Sequence, residues 1–367
     1  MLICAMQKMI GIIIAISLIN LSYSYDIINN YLEELEKNLL ERNPNGRTFV
    51  ENEEIIKLWA LYKNIHGGPF ENETSSIQAF SANTNEILKH NFEYNAGLHT
   101  YRLGMNRYTH MFPSEFNTKM NGFRKPEKRI ASALIYKPAG YNTSDTEFSW
   151  FDESILTPIV DQDKTKSCYA FCAADALSSL NTLANRRLVQ VSAQELIDCT
   201  DAFGNFGING GSMDTCFQYV NEVKGLSAMK NYKFTASNNQ CQSNITRVDI
   251  PIESITYINE GNDDDLMDAL INVGPIAVAI DANSPKFMSY RKGVYSNDLC
   301  SAENINHAVL LVGFGETEFN DEIYRYWIIK NSWTQNWGEG GYGKILRNYN
   351  NTCGISSYAC FPVIANN

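Results

Sequence analysis

The stretch from Gln162 to Ala173 constrains the fold more than any other part of this chain. A polar loop ends at Cys168, and an Ala- and Leu-rich run from Tyr169 to Leu188 follows with apolar residues at helical spacing. The spacing predicts a helix that begins at or near Cys168. Unpaired N–H groups and the helix dipole stabilise an anion there, which would make the thiol a nucleophile. The alternative is a buried structural cysteine at the start of a core helix, and this stretch alone does not decide between them.

Two later stretches place further chemistry at the ends of predicted strands. His307 heads an apolar run that reads Asn-His-Ala-Val-Leu-Leu-Val-Gly. Asn331 follows a second such run, Tyr-Trp-Ile-Ile-Lys, and a glycine-rich turn at Gly338–Gly343 comes after it. Taken singly, a histidine on a strand is more often structural, and an asparagine beside two tryptophans more often belongs to a turn. Cys, His and Asn in this order indicate a thiol nucleophile with its base and a residue that orients the base.

These motifs resemble those of the papain-like cysteine peptidases, and of cathepsin L-like enzymes in particular. The resemblance extends over nearly the whole chain. It implies an α+β fold with two lobes, a helical lobe and then a β-barrel-like lobe, preceded by a helical prosegment. In agreement, residues 150–255 are rich in helical pattern. Residues 256–360 contain predicted strands at Ile276–Ile280, Ala308–Phe314, Tyr326–Lys330 and Gly343–Leu346.

Charge and the N-terminal pattern limit the compartment and the partners. The chain has 367 residues and a formal charge of −11, which argues against nucleic acid or an anionic surface as a partner. Residues 1–24 have the pattern of a signal peptide, with Lys8, an apolar run at Met9–Leu21 and a small-residue cleavage site. A signal anchor is the less favoured alternative because the run is short. We therefore expect a monomer of the secretory pathway, extracellular or lysosomal, with no membrane contact after signal removal.

Residues 25–143 lack cysteine and are predicted to form the inhibitory prosegment, ahead of a peptidase domain at 144–367. Apolar spacing predicts one helix at Asp26–Glu41 and a second from Asn52. A third helix carries Phe80, Asn83, Ile87 and Asn91. Its spacing resembles the second half of the inhibitory motif of cathepsin L-like zymogens, whereas Asn72 and Ser76 replace the Glu and Arg of the first half.

The segment after the third helix resembles the next prosegment motif of this family. In Gly104–His110, Tyr108 replaces Phe and His110 replaces Asp. We expect Phe112–Phe123 to lie along the cleft and to block it until cleavage near Tyr141–Asp145. An exposed histidine gains charge between about pH 7 and 6, so we further hypothesise that His110 loosens the prosegment on acidification.

The resemblance assigns roles to four residues. Cys168 is the nucleophile, His307 the base and Asn331 its orienter, while the side-chain amide of Gln162 joins the backbone N–H of Cys168 as oxyanion donor. Trp333 would shield the His–Asn hydrogen bond from water. His307 is the only histidine after residue 143. The base is therefore fixed if the chain is catalytic, and neither a histidine-based metal site in the mature part nor a cofactor is expected.

Substrate-binding residues follow from the same resemblance. The segment Asn209-Gly210-Gly211 resembles the strand whose main chain pairs with an extended peptide. Residues matching the S2 pocket predict an apolar, shallow pocket, and they are Met213, Ala279, Ile305 and Tyr358. The alternative is that these residues are only core. The loop before the nucleophile departs from the family at Asp163, Thr165, Lys166 and Tyr169.

The nine cysteines fit an oxidising compartment, as do the glycosylation acceptor sequences at Asn72, Asn142, Asn244 and Asn350. The resemblance pairs Cys199 with Cys241 and Cys300 with Cys353. Its third bridge is missing, because Thr165 and Ile208 occupy the two positions. Cys172 and Cys216 are each displaced from one of these positions in the same chain direction, so we predict a Cys172–Cys216 bridge. The alternative is two buried free thiols, and Cys360 is expected to be unpaired.

Two functional hypotheses follow. The first is a cysteine endopeptidase made as a zymogen, which acts on peptides or proteins and has its own prosegment as intramolecular inhibitor. The second is a non-catalytic or weakly active homologue that binds peptides or proteins through the same cleft. Retention of Cys168, His307, Asn331 and Gln162 favours the first, and Lys166 in the loop before the nucleophile favours the second.

Overall fold

The computed structural model describes residues 26–41, 52–141, 146–151, 153–297, 299–347 and 351–365. The predicted signal peptide, Asn142, Asn350 and most of the predicted cleavage region lie outside the described residues. Within the described part of the chain, no helix is both long enough and apolar enough to cross a bilayer.

Helices predominate in the first part of the chain and strands in the second, as expected of an α+β protein. The α-helices are α1 (26–41), α2 (Asn52–His66), α3 (Glu73–Asn95), α4 (Pro113–Met120), α5 (Cys168–Asn185), α6 (Ala193–Cys199), α7 (Met213–Val223), α8 (Asp263–Asn272) and α9 (Pro285–Met288). The strands are β1 (Tyr101–Leu103), β2 (Leu134–Ile135), β3 (Phe148–Ser149), β4 (Gly225–Ser227), β5 (Arg247–Asp249), β6 (Ile252–Tyr257), β7 (Ile276–Ile280), β8 (Tyr290–Tyr295), β9 (His307–Phe319), β10 (Glu322–Lys330), β11 (Tyr342–Leu346) and β12 (Ala359–Ile364). The predicted fold class is confirmed, as are the three prosegment helices and the four strands of the second half.

One large sheet organises the molecule. Its strand order is β1-β8-β11-β10-β9-β7-β12-β6-β2, with β3 paired to β9. Strand β1 belongs to the predicted prosegment and pairs antiparallel with β8, so the prosegment extends the sheet of the peptidase domain at one edge. Strands β4 and β5 form a separate two-stranded sheet.

The sheet separates two hydrophobic cores, and the strand residues alternate between them. On β9, Val309 and Leu311 pack into one core, whereas Ala308, Leu310 and Val312 pack into the other. Side chains of a strand point alternately to its two faces, so this alternation is what an apolar strand between two cores requires. The core that receives Ala308 contains α5, α6 and α7, and the other core joins the prosegment helices to the sheet.

Asparagines of α3 hold the prosegment loop that follows the helix. Asn83 donates its amide to the carbonyls of Thr109 and Met111, at 2.8 and 2.9 Å. Asn91 donates to the Leu103 carbonyl at 3.1 Å and accepts from the Leu103 N–H at 3.0 Å. These bonds satisfy buried backbone groups in the loop at Thr109 and Met111 and at the end of β1, which explains why α3 needs asparagine at both positions.

The departures in the first half of the motif have structural roles of their own. Asn72 is the N-cap of α3, and its side chain accepts from the Ser75 N–H at 3.1 Å. Glu73, one residue later, forms an ion pair with Lys63 on α2. A second ion pair joins Arg102 to the buried Glu36 on α1 at 2.7 Å. Ion pairs therefore still join segments of the prosegment, although residues outside the motif form them.

The disulfide predictions are correct for two pairs and wrong for the third. Cys199–Cys241 and Cys300–Cys353 are bonded. Cys172, Cys216, Cys168 and Cys360 are free and buried.

The predicted Cys172–Cys216 bridge does not form because the two thiols face different neighbours. The Cys172 thiol donates to the Val309 carbonyl on β9 at 3.1 Å. The Cys216 sulfur accepts from the Asn205 side-chain amide at 3.4 Å. A shared displacement along the sequence therefore did not place the two side chains on facing surfaces.

We predict four free thiols in the processed protein. After denaturation without reduction, alkylation with iodoacetamide should add four labels, on Cys168, Cys172, Cys216 and Cys360. The reduced sample is the control and should take eight labels, because eight of the nine cysteines follow residue 143. Only two labels without reduction would indicate a third disulfide and would contradict the structure.

Candidate active site

Cys168 is the first residue of α5, as the apolar spacing predicted. Its side chain is fully buried, and burial raises the pKa of the thiol, while the neighbouring backbone of Ala308, Gly122, Tyr169 and Phe123 opposes the shift. Gly122 and Phe123 belong to the predicted prosegment. The thiol therefore lies between the start of β9 and the prosegment, in a site from which water is excluded.

Contacts between α5 and the sheet bring Cys168 and His307 to the same place. One turn after Cys168, Cys172 bonds the carbonyl of Val309, which is two residues after His307 on β9. Two turns after Cys168, Asp175 forms a buried ion pair with Lys330, the last residue of β10. Because Asn331 directly follows Lys330, the same helix aligns the two strand ends that carry the imidazole and the amide.

His307 is hydrogen-bonded to Asn331 in a defined tautomer. Its Nε2 lies 2.9 Å from the Asn331 side-chain oxygen, which also accepts from the Ser332 N–H at 2.8 Å. An oxygen that accepts there requires the proton on Nε2, so Nδ1 carries the lone pair. Nδ1 has no hydrogen-bond partner among the described residues. Burial lowers the pKa of His307 to about 4, against the opposing effect of Asn331.

Trp333 covers this pair. Its ring stacks on the His307 ring with centroids 4.4 Å apart, and its side chain is fully buried. Its indole N–H donates to the Gln162 side-chain oxygen at 3.1 Å. One tryptophan therefore touches both the imidazole and the amide that sequence reasoning placed in the site.

Gln162 directs its amide nitrogen into the cleft. The Ser332 hydroxyl, at 2.7 Å, and the Trp333 indole fix its oxygen. Its Nε2 then donates to the carbonyls of Thr165 and Met120, each at 2.7 Å. Met120 is the last residue of α4 in the prosegment. A prosegment carbonyl thus accepts a hydrogen bond from the group predicted to bind the oxyanion, a contact that no sequence pattern indicated.

The prosegment crosses the cleft in extended conformation. Gly211 donates its N–H to the Gly122 carbonyl and accepts from the Arg124 N–H, both at 2.9 Å. The Phe123 N–H donates to the Asn306 carbonyl at 2.8 Å. Asn209 also contacts this segment, because its carbonyl accepts from the Arg124 guanidinium at 2.8 Å. The predicted position along the cleft is therefore confirmed for Met120–Phe123, the last part of the predicted segment Phe112–Phe123.

Phe123 lies in the apolar pocket predicted for S2. Its ring is 5.0 Å from that of Tyr358, in one cluster with Met213, Ala279 and Ile305. A buried polar group that the sequence analysis missed lies beneath this pocket. Asp214 accepts from the hydroxyls of Tyr257, at 2.5 Å, and Ser212, and the Ser212 hydroxyl is 3.4 Å from that of Tyr358. In the sequence, the only indication that Asp214 lies at this pocket is that it directly follows Met213.

In the loop before Cys168, residues that differ from the family pattern form hydrogen bonds of their own. The Lys166 N–H donates to the Ile208 carbonyl at 2.9 Å, which joins the segments that the missing disulfide would have linked. Thr165 donates its hydroxyl to the Gln162 carbonyl at 2.6 Å. Tyr169 donates its hydroxyl to the Gly207 carbonyl at 3.0 Å. These bonds hold the loop and Gln162 in place without the third bridge.

The hypothesis that an exposed His110 senses acidification is wrong in its premise. His110 is buried, its Nδ1 lies 2.9 Å from the Tyr62 hydroxyl, and its ring stacks on Phe70 with centroids 4.1 Å apart. Burial lowers its pKa to about 4. It therefore does not gain charge between pH 7 and 6 while the prosegment is docked. The charged or titratable groups around it are Lys164, Arg107, Glu115 and His66.

Comparisons with known proteins agree with the geometry. Residues 144–363 match the papain family cysteine protease domain, and residues 59–116 match the cathepsin propeptide inhibitor domain. The chain is 34% identical to a cathepsin L-like peptidase of Aedes aegypti, across 85% of this chain and 94% of the relative. It is 35% identical to cathepsin K of Mus musculus, across 83% of this chain and 92% of the relative.

Among solved structures, digestive procathepsin L2 from the larval midgut of Tenebrio molitor is similar. Its TM-score is 0.77 at 32% identity, and the match covers 84% of this chain and 99% of that chain. The digestive procathepsin L 3 of the same insect has a TM-score of 0.75 at 28% identity. Both are proforms by name, which agrees with a prosegment docked on a peptidase domain.

We predict that Gly122→Ala weakens the docking of the prosegment. A Cβ at Gly122 would lie 1.8 Å from the Lys166 carbonyl oxygen, so the prosegment or the loop must shift. Overpacking of this kind costs about 1–3 kcal/mol, which corresponds to roughly 5- to 150-fold faster processing of the full-length chain. The exposed Ser114→Ala on α4 is the control. An unchanged processing rate for Gly122→Ala would contradict the close approach.

We also predict that His110 makes the docked prosegment less stable in acid by a different route. A buried histidine with lowered pKa contributes stability above the unfolded pKa of 6.5, and this is lost as the pH falls toward about 4. The shift corresponds to roughly 3 kcal/mol. In a Cys168→Ala background, His110→Asn should lose less thermal stability than the parent between those pH values. Parallel losses in the two chains would exclude this contribution.

Proposed function

This chain belongs to the papain family of cysteine proteases, as a cathepsin L-like peptidase with a propeptide, and we propose that Cys168, His307, Asn331 and Gln162 carry its chemistry. The observation that supports this most is the tautomer of His307. Its Nε2 proton is held by Asn331 at 2.9 Å, which leaves the Nδ1 lone pair available in the site that also contains Cys168. A base needs such a lone pair near the proton that it removes.

In the proposed mechanism, Nδ1 of His307 takes the proton of the Cys168 thiol, and the thiolate attacks the peptide carbonyl carbon. The carbonyl π electrons move to oxygen, and the Gln162 amide and the Cys168 backbone N–H donate to the resulting oxyanion. When the C–N bond breaks, the imidazolium protonates the leaving amine. His307 then removes a proton from water, whose oxygen attacks the thioester and releases the acid and the thiol.

The docked prosegment opposes this chemistry in two ways. It occupies the amide of Gln162 with the Met120 carbonyl, and it buries Cys168 and His307. Burial disfavours charge, so the pKa of the thiol is raised and that of the imidazole lowered, and proton transfer between them is unfavourable. Removal of the prosegment would admit both water and substrate. Proton transfer from Cys168 to His307 would then give a thiolate–imidazolium ion pair.

Substrate recognition is proposed to follow the contacts that the prosegment makes. Gly211 would pair with the main chain of an extended peptide through its N–H and carbonyl, as it now pairs with Gly122 and Arg124. Met213, Ala279, Ile305 and Tyr358 would form S2. Because Phe123 lies there, we propose that S2 accepts an aromatic side chain.

We further propose that residues 25–143 are the prosegment and 144–367 the peptidase domain, with cleavage near Tyr141–Asp145. The two disulfides support a secretory route, extracellular or lysosomal, since such bonds persist in oxidising compartments. The alternative of a non-catalytic, peptide-binding homologue has no observation in its favour. The side chain of Lys166 motivated this alternative, but the Lys166 backbone accommodates the prosegment, since its carbonyl lies against Gly122 and its N–H donates to the Ile208 carbonyl.

We predict that Cys168→Ala and His307→Ala each lower kcat/KM of the processed enzyme on an extended peptide by roughly 10⁴-fold or more, because the two groups act as a unit. Asn331→Ala should lower it by roughly 10- to 100-fold, since the imidazole loses its orienter but remains a base. Cys360→Ala, which removes a buried thiol from β12, is the control and should retain wild-type kcat/KM. Wild-type turnover by Cys168→Ala would refute the assignment.

A further inference from the structure

A second cluster of chemically reactive side chains lies in the prosegment, apart from the active site. His90 and Glu93 are three residues apart on α3 and therefore share one face of the helix. His99 follows in the turn between α3 and β1. The rings of His90 and His99 stack with centroids 4.0 Å apart. The candidate ligand atoms of the three residues all lie within 4.8 Å of one another.

The hydrogen bond of His90 leaves a buried lone pair. Its Nε2 is 3.0 Å from the Tyr101 carbonyl, which can only accept, so the proton is on Nε2 and the lone pair on Nδ1. The side chain is fully buried, and Nδ1 has no hydrogen-bond partner among the described residues. A buried acceptor without a donor is costly, and a cation at Nδ1 would satisfy it.

The other two side chains open this position to solvent. Glu93 accepts from His99 Nε2 at 2.8 Å, and the two side chains are 34% and 24% exposed. An ion that entered past them would replace their hydrogen bond. It would also require the partly exposed His99 ring to turn, because two parallel rings 4.0 Å apart cannot both direct an in-plane lone pair at one ion. Two cations act on the cluster, Lys89 on α3 and Lys286 on α9. The carboxylate of Glu93 is the group that offsets them, so it is needed for affinity as well as for coordination.

We propose that His90, Glu93 and His99 form a binding site for a divalent transition-metal ion of the zinc type. Two imidazoles and one carboxylate are a common zinc ligand set, and water would complete the tetrahedron. His90 would bind through Nδ1. Its other ring nitrogen already donates to a backbone carbonyl, which is the usual arrangement for a metal-bound histidine.

The position of the site gives the ion a structural consequence. It would join α3 to residue 99, and the next residue, Thr100, accepts from the Val294 N–H of β8 at 2.9 Å. Strand β1, which follows, pairs with β8 of the peptidase domain. An ion that binds only the folded prosegment stabilises it by mass action. Zinc would therefore stabilise the proform, independently of the roles proposed for the catalytic residues.

The test is calorimetric titration of the full-length Cys168→Ala chain with zinc chloride near neutral pH, without a histidine tag. The Cys168→Ala change removes a thiol that could bind zinc together with His307. We expect one high-affinity equivalent of zinc and a rise in melting temperature. Glu93→Gln and His99→Ala should each weaken binding at least tenfold. Glu86→Gln, which removes the same charge elsewhere on α3, should bind as the parent does.

Two results would overturn the proposal. One is the absence of binding by the parent chain, and the other is equal affinity in the parent, Glu93→Gln and His99→Ala. Glu93→Gln preserves side-chain shape and His99 is partly exposed, so both variants are expected to fold. Melting without zinc checks this, and either folded variant decides the outcome. Processed enzyme without residues 25–143 should lose this site.

Discussion

The packing of α5 against β9 is the constraint on which the site depends. Cys168 and His307 are each the first residue of their element, so the relative position of helix and strand determines whether thiol and imidazole meet. Cys172 fixes that position through Val309, and Asp175 fixes the neighbouring strand through Lys330. A slip of one residue on β9 would exchange its two faces and direct His307 into the other core.

Burial is the second physical effect that recurs in the structure. The prosegment covers the cleft with backbone hydrogen bonds to Gly211 and the Asn306 carbonyl, and so excludes water from Cys168 and His307, the catalytic dyad. Desolvation then keeps Cys168 and His307 uncharged. The same effect keeps His110 neutral inside the prosegment. One cause therefore suppresses the chemistry of the dyad and makes the docked prosegment sensitive to acid.

Local sequence pattern was sufficient to predict the helices and strands that carry the site. It did not show which distant segments their side chains face. The helix start at Cys168 and the strands around His307 and Asn331 follow from apolar spacing and flanking residues. The prediction of a Cys172–Cys216 bridge was wrong because spacing along the chain does not show which neighbour a side chain faces. The prediction that His110 is exposed was wrong because Tyr62 and Phe70, which bury it, lie on a helix and a loop far away in the sequence. The contact between Met120 and Gln162 is likewise a meeting of distant segments.

The central claim is that Cys168 is a reactive nucleophile which the prosegment holds in a buried, neutral state. Labelling with a thiol-directed epoxide under reducing, mildly acidic conditions, followed by peptide mass analysis, tests it most directly. The account predicts an adduct on Cys168 of the processed enzyme and little or none on the unprocessed chain, with Cys172, Cys216 and Cys360 unlabelled in both. No adduct on the processed enzyme, or equal rates of labelling before and after processing, would contradict it.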